Sequence, residues 1–157
     1  MNERTERQIS EMKNQTIGVE VEMNNITRQA AAKLAAEYFG TSRWEDTAYR
    51  NGYSTWSAWD AQNREWKFSK DVSIQGPDSE KCELVTPILR YEDMETLQGL
   101  IRKLRKAGAK SDATRGCGVT FTSEPTATRR RLSGIWPTSW QATKASWPMP
   151  SALTAAE

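Results

Sequence analysis

From Thr16 onward apolar and polar positions alternate with period two. Ile17, Val19, Val21 and Met23 point one way, and Gly18, Glu20 and Glu22 the other. That alternation predicts a half-buried strand. Asn24 and Asn25 break it, and the pattern then changes period. Thr27 is placed to cap a helix whose Ala30, Leu34, Ala35 and Tyr38 share one face, with Gly40 as its C-terminal stop. This helix should pack on the strand.

A polar, aromatic stretch follows, with Gly52, Tyr53, Trp56 and Trp59, then Asp60-Ala61-Gln62-Asn63, then Trp66-Lys67-Phe68. Two antiparallel strands joined by a turn at 60–63 are expected. After the turn-rich Gln75-Gly76-Pro77-Asp78, residues 82–86 (Cys-Glu-Leu-Val-Thr) form another short strand ended by Pro87. Met94, Leu97, Leu100, Ile101 and Leu104 then make an apolar stripe at helical spacing. Arg102, Lys103, Arg105 and Lys106 suit the C-terminal end of that helix, and Gly108 can terminate it. Cys117-Gly118-Val119 leads into a further apolar stretch. The order strand, helix, strands, helix, strand implies an α+β domain, an antiparallel sheet backed by helices, over residues 16–119. Residues 1–15 alternate charges without stable periodicity and form a solvated arm or frayed helix.

Composition changes the picture at Thr120. Up to Val119 there are eighteen basic and eighteen acidic residues; from Thr120 to Glu157 there are four and two. Twelve of those 38 residues are Ser or Thr, four of the six prolines lie there, and Trp136, Trp140 and Trp147 follow no helical or strand period. Residues 120–157 are therefore expected to be an irregular tail. One lost nucleotide beside Val119 would explain it, because codons for Val119 to Thr126 can be chosen whose neighbouring frame spells His-Ile-His-Ile-Gly-Ala-Asp. It would also explain the absence of histidine, and it makes Arg129 to Arg131 a product of the shifted frame. On this account the domain lacks its second half, with an unpaired sheet edge and exposed apolar helix faces.

The formal charge of +2 gives no field that singles out nucleic acid or an acidic membrane. No apolar run approaches the roughly 20 residues of a membrane span, and no signal-peptide core is present. A cytoplasmic location is the expectation. Cys82 and Cys117 have neither a CxxC partner nor a histidine beside them, which argues for structural thiols and against a zinc site or a cysteine nucleophile. Tyr53, Trp56, Trp59 and Trp66 near Arg50 and Arg64 offer rings for base stacking, but their spacing does not make a one-sided platform on a regular strand, so nucleic acid is disfavoured.

The chemistry lies in Gly18-Val19-Glu20-Val21-Glu22, which puts two carboxylates on one strand face about 7 Å apart at the backbone. Long Glu side chains at that spacing can converge on one Mg²⁺ or serve two ions about 4 Å apart. A merely solvated strand face gives the same alternation. Further on, Asp71 and Ser73 stand two apart, and Glu83-Leu84-Val85-Thr86-Pro87 follows ten residues later. Together these residues resemble the amidoligase family of phage and bacterial gene clusters, related to glutamine synthetase and glutamate–cysteine ligase. That family's pattern is G-x-E-x-E, D-x-S, E-L-V-T/S-P, a helix ending in G-A, and C-G-x-H-[IV]-H. Gly18, Glu20, Glu22, Asp71, Ser73, Glu83, Pro87, Gly108-Ala109 and Cys117-Gly118 match in order, from about Ile17 to Val119. At Thr120-Phe121-Thr122 the chain departs where His-x-His stands in the family.

The resemblance implies an antiparallel sheet that holds ATP and Mg²⁺ on one face. It further implies phosphorylation of a substrate carboxylate and displacement of phosphate by an amine to form an amide. By resemblance Glu20, Glu22 and Glu83 are metal ligands, Asp71 and Ser73 orient substrate or nucleotide, and Lys67 and Lys70 are candidate phosphate contacts. The partners are a small-molecule or peptide carboxylate and an amine, with no membrane. With His-x-His missing, the chain should be catalytically incomplete. The contrasting expectation is a small non-enzymatic binding or structural protein, with the Glu pair on the surface and the tail as an interaction arm.

Overall fold

The computed structural model describes residues 2–123. Helix α1 (Glu3–Lys13) opens the chain, capped by Asn2, whose side chain accepts from the Arg4 amide; it buries no residue, as its charge alternation dictates. Its end touches the fold through Lys13, whose Nζ lies 5.3 Å from the centre of the Tyr91 ring. Strand β1 (Ile17–Met23) buries Val19, Val21 and Met23 and leaves Glu20 and Glu22 on the opposite face. Helix α2 (Arg28–Phe39) starts at Thr27, whose side chain accepts from Ala30 N, and stops at Gly40 in the left-handed region (φ 71°). Its buried face is Ala31, Ala32, Ala35 and Ala36. Ala30 is exposed and Leu34 and Tyr38 are half-buried, so the packed stripe is rotated from the one read in the sequence. Four alanines let the helix approach the sheet closely, and the bulk comes instead from Trp66 and Phe68 beneath them.

Strand β2 (Trp44–Asp46) and the short helix α3 (Ala48–Asn51) follow. Neither is apparent in the sequence, because three and four residues are too few to show a period. Strands β3 (Trp56–Trp59) and β4 (Glu65–Ser69) form the expected hairpin, and β5 is Cys82–Val85. A 3₁₀ turn (Tyr91–Asp93) leads into α4 (Met94–Lys106), which buries Leu97, Leu100 and Leu104 and carries Lys103, Arg105 and Lys106 in its last turn. A second 3₁₀ turn (Ala113–Arg115) precedes β6 (Val119–Ser123). This strand runs four residues into the stretch expected to be irregular. The remainder of that stretch, with Arg129 to Arg131, Trp136, Trp140 and Trp147, lies outside the described residues.

The six strands form one sheet in the order β2-β3-β4-β5-β1-β6, and every neighbouring pair is antiparallel. One face carries α2 and α4, and between them and the sheet lies the core: Val19, Val21, Met23, Trp66, Phe68, Leu84, Leu89, Leu97, Leu100 and Leu104. Full burial of each large side chain contributes about 2 kcal/mol from apolar area. The register then assigns the other face. Glu20 pairs with Val85 and with Thr120, and Glu22 pairs with Glu83. Lys67 pairs with Val85 and with Ser57, and Ser69 with Glu83. The face opposite the helices is thus polar and acidic at its centre.

The β3–β4 turn is fixed by a buried charge. Asp60 accepts from the Gln62 and Arg64 amides, from Arg64 Nε at 2.8 Å and from Trp66 Nε1 at 2.9 Å. Arg64 also donates to both carboxylate oxygens of Asp93, at 2.9 and 2.8 Å, which ties the hairpin to the start of α4. The rings considered for base stacking are therefore largely structural. Trp66 and Trp59 are buried, Trp56 stacks on Trp44 at 5.4 Å between centroids, and Arg64 is fully engaged; only Tyr53 is widely exposed.

Candidate metal-binding site on the acidic sheet face

Strand alternation brings Glu20 and Glu22 to the polar face, and antiparallel pairing brings Glu83 directly opposite Glu22. The loop after β4 delivers a fourth carboxylate, Asp71. One oxygen each of Glu22, Asp71 and Glu83 lie within 4.8 Å of one another, all on half-buried residues. Three carboxylates this close repel one another, and burial adds to the cost. Glu22 is pushed above the usual carboxylate range first by burial, then by Asp71 and Glu20, against a backbone hydrogen bond from Gly118. Glu83 is likewise raised by burial and by Glu20, Asp71 and Glu22. Burial acts on Asp71 too, but hydrogen bonds from the Ser73 amide and hydroxyl, both at 2.8 Å, hold its carboxyl below its ordinary value.

The shell around these acids positions them. Ser69 Oγ donates to Glu83 at 3.3 Å. Thr86 Oγ1 accepts from Val19 N at 3.0 Å, which fixes the strand that presents both β1 glutamates. The 70–81 loop is braced by Asp78, paired with Lys70 at 2.6 Å and Lys81 at 3.1 Å. Arg28 holds the same loop from α2 by donating to the carbonyls of Asp78 and Lys81, and ties it to the segment before β3 by donating to the Ser54 carbonyl. On its other side the loop docks on the turn before β6 through Gln75 N to Arg115 O at 2.9 Å.

The sequence-read residues are thus sorted by the fold. Glu22, Glu83 and Asp71 come together, with Asp71 inside the carboxylate cluster rather than beside it. Glu20 lies one pleat away on the same face. Ser73 is engaged with Asp71. Lys67 lies on the row running from Glu20 through Val85, with no ion pair among the described residues, whereas Lys70 is taken up by Asp78. Thr120 and Thr122 stand on the same face, opposite Glu20 and Gly18. Ser69 and Lys81 were not read from the sequence as site residues, while Thr86 and Gly118 stand in the matched motifs without a role assigned there; Ser69 left one signal, two residues after Lys67 on one strand.

A family model described as "putative amidoligase enzyme" matches residues 13–145. The chain belongs to the amidoligase family. The match runs past Val119, beyond the residues at which the family pattern and this sequence part. No curated protein and no solved structure matches the chain. For an amidoligase-family chain the cluster has fitting donors, since hard cations such as Mg²⁺ take carboxylate oxygens and would offset the burial and the mutual repulsion that raise Glu22 and Glu83. Among the described residues no helix is long and apolar enough to cross a membrane.

Proposed function

We propose that the acidic face of this amidoligase-family chain binds Mg²⁺ together with the phosphates of ATP. The site would serve formation of an amide between a small-molecule or peptide carboxylate and an amine through an acyl phosphate. The observation that carries this reading is the convergence of Glu22, Asp71 and Glu83 from three separate segments. Glu22 and Glu83 are the ligands on rigid strands, Asp71 the ligand on a braced loop, and Glu20 the neighbour able to serve a second ion. The bound metal supplies neutralisation of charge on the transferring phosphoryl group. Ser73 sets the orientation of Asp71, and Lys67 is placed to contact phosphate from the adjoining row.

The reading has a second part. Thr120 and Thr122 put neutral hydroxyls where the family pattern has imidazoles, so the chain keeps the acidic half of the site and its ligation is curtailed.

Mn²⁺ titration followed by electron paramagnetic resonance, with and without ATP, tests the site. Saturable binding that Glu22→Ala with Glu83→Ala weakens by at least tenfold is expected. Equal binding by the variant would sink the reading and leave the non-enzymatic binding or structural role.

A further inference from the structure

We propose that two copies of this chain associate through β6, which pairs antiparallel with itself about a two-fold axis at Phe121 to make one continuous twelve-stranded sheet. Among the described residues β6 pairs only with β1 and closes the sheet on that side. The direction of its free backbone groups follows from the ladder. Glu22 N donates to Gly118 O at 3.0 Å, so in the β1–β6 pair it is Gly118, Thr120 and Thr122 whose amides and carbonyls point toward β1. On the other side of β1, Ile17 exchanges bonds with Leu89, and Val19 O accepts from Thr86, as that parity requires. Hence the amides and carbonyls of Val119, Phe121 and Ser123 point outward from the sheet, three donors and three acceptors in a row.

This edge is complementary to itself. Antiparallel pairing centred on Phe121 sets Phe121 against Phe121 of the second copy, Thr120 against Thr122, and Val119 against Ser123. Phe121 and Val119–Ser123 then fall in hydrogen-bonded positions, giving six inter-chain backbone bonds with no donor or acceptor in the row left over. A two-fold axis normal to the sheet also keeps like faces together. The threonines meet on the acidic face, where Thr–Thr pairs are favourable, and the two Phe121 rings meet on the helix side.

Exposure of the apolar positions favours the same occupant. Phe121 and Val119 continue the face on which Val19 and Val21 are covered by helices, yet they are 62% and 50% exposed. Val21, the cross-strand partner of Val119, lines an open groove of about 630 Å³ with Met23, Ile101 and Arg105. Pairing through β6 would bring the two acidic clusters to one face, with the two β1 strands about 14 Å apart, three strand spacings.

Sedimentation of the full chain over a concentration series tests this, combined with hydrogen exchange of the Val119, Phe121 and Ser123 amides. A monomer–dimer equilibrium is expected, with those three amides protected as the dimer fills. Phe121→Pro removes only outward-pointing amides and so preserves the β1 ladder; losing two bonds should weaken association about thirtyfold. Phe121→Cys should yield a disulfide-linked dimer under mild oxidation, because Cα atoms of a hydrogen-bonded pair lie about 5.5 Å apart. A chain that stays monomeric would overturn the proposal. If the three amides are protected at every concentration in that monomer, the chain covers its own edge. A dimer that Phe121→Pro leaves intact, with its fold checked by circular dichroism, would overturn it equally.

Discussion

Glu22 of β1 stands directly across the ladder from Glu83 of β5, so two carboxylates share one cross-strand position on a partly desolvated face. Such a pair costs stability when both are ionised. Both groups have folded-state values raised above their ordinary range, first by burial and then by neighbouring acids. The linkage sign follows: their contribution is fully present below about pH 4.5, the unfolded value, and is lost as pH rises through the raised values. Glu65, Asp71 and Asp93 act in the opposite sense, since their carboxyls are held low. Comparison with a variant isolates the pair. Glu22→Gln with Glu83→Gln should be more stable than the parent at pH 7 and converge with it near pH 4.5, as measured by urea denaturation in chelator. A variant no more stable at pH 7 would contradict the repulsion.

Divalent metal should reverse that order. Millimolar Mg²⁺ or Mn²⁺ should raise the melting temperature of the parent at pH 7 and leave the Gln variant unmoved, because ligand bound only to the folded state stabilises it by mass action. Equal shifts in both proteins would mean that the ion acts elsewhere.

Gly116 gives a way to disturb the site from outside it. Its φ is +80°, and a Cβ there would meet the Ser73 carbonyl at 2.9 Å, a backbone atom that cannot swing aside. Gly116→Ala should therefore cost roughly 1–2 kcal/mol for the left-handed backbone alone. It should also push the loop bearing Asp71 and Ser73 outward, weakening Mn²⁺ binding while Glu22 and Glu83 remain in place. Unchanged metal affinity in a folded variant would show that the docking of this loop does not set the position of Asp71.

The legibility of the site divides along a physical line. Glu20 and Glu22 were readable because a strand's two-residue period places them without reference to the rest of the chain. Glu83 was readable as a strand residue, but its position opposite Glu22 depends on β1 lying between β5 and β6, which no local pattern encodes. That Asp71 joins the carboxylate cluster is not legible locally, because its loop, braced internally by Asp78, is placed by Arg28 and Arg115, both distant in sequence. Similarly, the α4 stripe was clear because five apolar residues repeat at helical spacing. The face of α2 was misjudged because runs of alanine give little contrast between its sides.

Asp60 and Arg64 allow a test of what fixes the hairpin. Asp60 is nearly inaccessible and its acceptors are shared among two amides, Arg64 and Trp66, while Arg64 is held chiefly by its hydrogen bonds to Asp93 and Asp60. Arg64→Ala would leave a buried carboxylate without its countercharge. A loss of about 3 kcal/mol is expected by denaturation, with a smaller loss for Arg64→Lys, which keeps the charge but not the fork. Near-parental stability in Arg64→Ala would show that the backbone amides alone suffice.

Thr120 and Thr122 allow the proposed site to be extended with imidazoles. Thr120 lies opposite Glu20 and Thr122 opposite Gly18, on the face that holds the acidic cluster. Gly18 carries no side chain to obstruct a larger residue at 122; its notional Cβ is already 3.9 Å from Thr122 Cβ. Thr120 is half-buried and Thr122 exposed, so imidazoles at both positions can be accommodated without opening the core. Thr120→His with Thr122→His should raise Mn²⁺ or Zn²⁺ affinity by at least tenfold at pH 7.5, consistent with added nitrogen ligands. Because the imidazoles bind neutral, the gain should fade below about pH 6.5. Adding Glu22→Ala and Glu83→Ala to the double-His chain should remove most of the gain if the histidines and the acids act on one ion. A gain that survives those changes would place the new histidines in a separate site and break the link between the β6 face and the carboxylate cluster.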